Sequence, residues 1–98
     1  PGGITYSRTV ASASLTASVS DRIIGVTSTG SLEIKLAPAQ TLAAGQYLTI
    51  KKEVNSNNLV TISTSGSQTI DSVASVVLES PHAALNIYSD GTSAYFIY

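Results

Sequence analysis

Apolar and polar side chains alternate one for one along most of the chain, and turn residues interrupt the alternation at short intervals. A period of two puts successive side chains on opposite faces of an extended strand, whereas a helix face recurs every three to four residues. Leu32, Ile34 and Leu36 against Glu33 and Lys35 are the clearest case, with one face for a core and one for water. The same pattern predicts strands at residues 4–10, 22–27, 47–53, 59–63, 69–70, 76–79, 84–89 and 94–98. Residues 11–20, ASASLTASVS, alternate most strictly of all and predict a further strand made almost wholly of small side chains.

The breaks have their own chemistry. Ser28-Thr29-Gly30-Ser31 and Ser65-Gly66-Ser67 are turns, and Asn55-Ser56-Asn57-Asn58 reads as a hairpin-like loop of residues that tolerate left-handed backbone. Ser89-Asp90-Gly91-Thr92 predicts a tight final hairpin. Pro38 ends its strand because it has no N–H for a ladder, and residues 39–45 are the only stretch suited to a short helical turn. Short strands between frequent turns predict an all-β fold, an antiparallel β-sandwich or jelly-roll-like domain of about eight strands.

Length adds that the 98 residues form one domain, since a second would lack the residues for its own core. Only 11% of residues are charged, against about 25% in an average soluble domain, so the polar surface must come from Ser, Thr, Asn and Gln. The five cations are scattered and the net charge is −1, which argues against a nucleic-acid partner. No apolar run approaches the roughly 20 residues that span a bilayer as a helix, so no membrane insertion is expected. Without cysteine, disulfides and thiolate metal sites are excluded. The start at Pro1-Gly2-Gly3, with no Met in the chain, reads as a fragment or processed form of something longer.

Candidate chemistry is sparse. His82 is the single histidine, so one chain cannot build a histidine triad or multi-histidine metal site, and it reads as a loop residue after Pro81. Asp71 and Asp90 would be the carboxylate pair of a glycosidase, yet each sits in a turn context that accounts for it. Lys51-Lys52-Glu53 reads as a solvated strand end, one of the two lysines being forced outward by alternation. No Gly-x-Ser-x-Gly elbow and no phosphate-cradling loop is present. The expectation is a protein that is not an enzyme and requires no cofactor or metal. Tyr47, Tyr88, Tyr95 and Tyr98 are candidates for a ligand or subunit contact, because aromatic faces suit both sugar rings and interfaces.

The order of features is also informative: the small-residue segment closing on Asp21, Ile23-Ile24, Thr29-Gly30, Leu36-Ala37-Pro38-Ala39, Gly45, Leu48-Thr49-Ile50-Lys51-Lys52, Val60-Thr61-Ile62, Gly66, Thr69-Ile70-Asp71, Leu78, Leu85 and Ser89-Asp90-Gly91-Thr92. This succession resembles the β-rich C-terminal modules of bacteriophage tail fibre, tailspike and head fibre proteins. It departs from them after the final Asp-Gly turn, where Ser93-Ala94-Tyr95 stands in place of an early aromatic, usually Trp.

The resemblance implies a homotrimeric virion module, extracellular and carried on a tail or capsid. It would contribute to host-surface attachment, with other virion proteins and a host cell-surface glycan or protein as partners. Small side chains would let neighbouring subunits approach closely, making Ala13, Leu15 and Ala17, with Phe96 of the C-terminal strand, the candidate subunit interface; the equal alternative is that Ala11, Ala13, Leu15, Ala17 and Val19 face a thin part of the monomer core. A capsid decoration or head fibre protein, and a carbohydrate-binding module of a cellular enzyme, are the alternatives at this point.

Overall fold

The computed structural model describes residues 8–98. Ten strands account for nearly all regular structure among these residues: β1 (Thr9–Ala11), β2 (Leu15–Thr16), β3 (Ile23–Val26), β4 (Leu32–Lys35), β5 (Tyr47–Lys52), β6 (Val60–Ser63), β7 (Thr69–Ile70), β8 (Ser75–Leu78), β9 (Ala84–Ser89) and β10 (Ala94–Ile97). The fold is all-β, and a single 3-10 turn at Ala39–Thr41 falls within the stretch expected to be helical. No helix among the described residues is long and apolar enough to cross a membrane.

The strands form a six-stranded sheet in the order β1-β3-β5-β9-β10-β7 and a four-stranded sheet in the order β2-β4-β6-β8. From β1 to β9, successive strands alternate strictly between the two sheets. Each strand from β3 to β6 therefore pairs with the strand two before it, running the same way: β1 with β3 with β5, and β2 with β4 with β6. Antiparallel ladders join β5 with β9, β6 with β8, and β9 with β10, and one isolated antiparallel bridge joins Ile70 to Val73. The expected antiparallel architecture is thus corrected to two mixed sheets. A parallel pair needs a crossover, and here the crossover is a strand of the opposite sheet. The Asn55–Asn58 segment joins β5 to β6 across the two sheets and is no hairpin.

Residues 11–20 are not one strand either. The chain leaves the six-stranded sheet at Ala11, bends, contributes only Leu15 and Thr16 to the four-stranded sheet, and turns again before Asp21. Small side chains offer too little contact to hold a ten-residue strand in one sheet, and polar side chains take up other partners: the Ser18 and Ser20 hydroxyls pair (3.0 Å), Asp21 accepts from the Ser18 N–H (2.8 Å), and Ser14 Oγ accepts from the Glu33 N–H across to β4 (2.9 Å). Of the expected strand at residues 4–10, residues 4–7 lie outside the described ones.

Both sheets contribute to one hydrophobic cluster. In the larger sheet Ile24, Ile50 and Leu85 are lateral neighbours; in the smaller sheet Leu32, Val60 and Leu78, and Ile34 with Ile62, do the same. Each such side chain contributes about 1.5–3 kcal/mol when fully buried. The inward row Ala11, Val26 and Lys52 ends on a lysine that is 0% exposed. Its ammonium donates to the carbonyls of Ser56 (2.9 Å), Asn58 (2.7 Å) and Glu79 (2.9 Å). The solvated strand end is therefore corrected: alternation from Leu48 and Ile50 carries Lys52 inward, while Lys51 turns out and donates to the carbonyl of His82.

Candidate functional site

The outward face of the six-stranded sheet is set by the same alternation. On β5 it takes Tyr47, Thr49 and Lys51; on β9, Ala84, Asn86 and Tyr88; on β10, Phe96. Register then puts Tyr47 opposite Tyr88 and Tyr88 opposite Phe96, so three aromatic residues from three neighbouring strands form one row. Tyr98, just past β10, donates its backbone N–H to Asn86 (3.0 Å) and sets its ring beside Tyr88. Ring centroids are 5.7 Å apart for Tyr88 and Phe96, tilted by 36°, and 5.9 Å apart for Tyr88 and Tyr98, tilted by 48°. These separations lie within the range of favourable aromatic pairs.

Tyr47 is 56% exposed and Tyr98 62%, with Phe96 and Tyr88 lower and flanked by them. Tyr47, Tyr88, Tyr98 and Gly45 line an open concavity of about 460 Å³. Gly45 has φ +86°, a conformation that favours glycine, and its N–H is held by the Ser89 carbonyl (2.7 Å), so a chain with no side chain borders the rings. In the adjoining row Thr49 donates its hydroxyl to Asn86 Oδ1 (2.9 Å). Further out, Arg8 and Glu53 form a two-pronged ion pair (2.8 and 2.6 Å) across Gly25, where a β-carbon would stand 2.0 Å from the Glu53 carboxylate. Each partner shifts the other, raising the guanidinium and lowering the carboxylate.

Of the four candidate tyrosines, three converge and one does not. Tyr95 is 2% exposed, faces the core and donates its hydroxyl to the Ala37 carbonyl (2.6 Å), with burial pushing its pKa up to about 12. It cannot meet a ligand or a subunit. Phe96, expected to join a small-residue interface, belongs with the tyrosines instead. Ala17 is in the core and Leu15 packs half-buried against it, leaving Ala13 as the exposed member of that group. β2 lies at one side of the molecule with β1, whereas β10 lies toward the other side with β7, so the four proposed interface residues do not form one patch. Gly45 was not anticipated; its clue is a glycine two residues before an outward-facing tyrosine.

The remaining polar candidates sit in turns. Asp90 Oδ1 accepts from the N–H groups of Thr92, Ser93 and Ala94 (2.8, 2.9 and 3.1 Å), which hold its carboxyl below the usual range. Asp71 accepts from the Ile97 N–H (3.1 Å) and has φ +49°. His82 is exposed in a turn with φ +58°. No cluster of three or more metal-binding side chains occurs among the described residues. No protein-family description, curated protein or solved structure matches the chain.

Proposed function

We propose that this domain is a non-enzymatic attachment module of a bacteriophage virion, a β-sandwich acting as a homotrimer on a fibre, spike or capsid. The observation that carries it is the aromatic row Tyr47, Tyr88 and Phe96 with Tyr98, open to solvent on the outward face of the larger sheet. A soluble domain gains nothing in folding by leaving such rings wet, and they mark a contact surface. The sandwich reading is supported by the 21 Å shortest dimension, since two sheets pack about 10 Å apart. The sequence resemblance to fibre and spike modules supplies the setting.

Trimer formation draws on the edges. β1 and β2 end the two sheets on one side, and β7 and β8 end them on the other. Apolar side chains stand exposed at both: Val10 and Val19 near the first, Val73 and Val77 near the second. A cyclic trimer uses two different surfaces of each chain, and edge-to-edge contact would cover the ladders left at the edges among the described residues while leaving the aromatic row free. A carbohydrate-binding module of a cellular enzyme is favoured by the same concavity, and is the second reading. Adsorption separates them: the labelled domain should bind intact bacterial cells saturably and compete with phage adsorption. Binding to purified plant or storage polysaccharide with none to any bacterial surface would instead favour the enzyme module.

A further inference from the structure

The concavity beside the tyrosines has a definite chemistry. We infer that Gly45, Tyr47, Tyr88 and Tyr98 form a subsite for a neutral pyranose residue of a glycan; this rests on the attachment reading and names its ligand class. A pyranose ring presents C–H groups on its faces and hydroxyls around its rim. It therefore asks for an aromatic face with hydroxyl partners at the edge, and three tyrosines supply both.

The geometry fits that demand. Because the Tyr88 and Tyr98 rings are tilted by 48°, they do not close on each other, and the exposed Tyr47 and Tyr98 rings keep faces free. A volume of about 460 Å³ falls within the roughly 300–1,000 Å³ of small-molecule sites. Gly45 borders the concavity with backbone alone, and a β-carbon there would meet nothing within 4 Å.

Charge decides between sugar classes. None of the lining side chains carries a carboxylate, ammonium or guanidinium group. Asp90, one residue beyond the Ser89 that holds Gly45, has its carboxylate occupied by three N–H groups, and Arg22 donates to the carbonyls of Val19 and Asp21. A uronate or sialate would find no cationic side chain among the lining residues, whereas a neutral hexose needs none. A second copy of the chain is the weaker occupant, because a stable interface engages about 20–30 residues a side and the aromatic patch has four exposed or half-exposed rings bounded by the polar Thr49–Asn86 pair.

The test is titration of the wild-type domain with cellotriose, maltotriose, chitotriose and a galacturonate trimer, read by chemical-shift changes and by tyrosine fluorescence, which no tryptophan masks. At least one neutral trisaccharide should bind saturably below about 10 mM. Tyr47→Ala and Tyr98→Ala should each weaken it about tenfold with an unchanged circular dichroism spectrum, since both side chains are more than half exposed. The inference is overturned by no binding of the neutral probes, by preference for the galacturonate trimer, by affinity indifferent to both variants, or by variants that change the assembly mass instead. Saccharide binding with no adsorption to cells would sink the attachment reading alone; adsorption that survives loss of both tyrosines would sink the subsite alone.

Discussion

Taking the Lys52 ammonium out of water costs solvation that its three carbonyl partners restore, so the side chain ties the loop after β5 to the segment after β8. Lys52→Met keeps most of the volume and removes the donor. It should lower unfolding free energy by about 2–4 kcal/mol in urea titrations, with the slope unchanged. Tyr95 makes a second residue-scale prediction through pH. Its folded pKa, about 12, stands above the ordinary 10, so the native state keeps the phenol proton longer than the unfolded chain. Stability is then full below the unfolded value and is lost as pH climbs from there toward the folded one. Melting temperatures measured across that window should fall, and Tyr95→Phe should fall less steeply while losing about 1 kcal/mol at neutral pH. Both burials follow from parity alone: Lys52 shares the parity of Leu48 and Ile50, and Tyr95 is out of step with Phe96 and Tyr98. Alternation sends one of the two lysines outward, and the parity of Leu48 and Ile50 decides that it is Lys51.

Among elements, the strands with bulky alternating side chains were legible, β4, β5, β9 and β10 above all, and so was the hairpin that Asp90 caps. Residues 11–20 were not, because alternation states only which side chains share a face and says nothing about whether those faces carry enough contact to hold a strand. The turns make a sharper prediction. Gly66 (φ +56°) has open space around its missing β-carbon, whereas Gly91 (φ +80°) would place one 3.0 Å from the Ala44 backbone nitrogen. Gly66→Ala should cost about 1 kcal/mol from backbone conformation alone, and Gly91→Ala about 2 kcal/mol or more. Thermal unfolding of the two variants side by side checks the difference. Because Ala44 adjoins Gly45, Gly91→Ala should also disturb the chemical shifts of Tyr47, which Gly66→Ala should leave in place.

At the scale of the molecule, the all-β class was legible and the path was not. Period two describes a strand equally well whichever direction its neighbour runs, and nothing in Asn55-Ser56-Asn57-Asn58 distinguishes a hairpin from a crossing between sheets. That path determines which strands are left as edges among the described residues. The proposed trimer would assemble through those edges and leave the aromatic face for attachment. Light scattering on the purified domain at micromolar concentration tests it most directly. The expected mass is three times the 10.1 kDa of one chain, reduced toward a single chain by Val77→Lys, which places a charge on the β8 edge. A wild-type mass of one chain, unchanged on concentrating, would contradict the account.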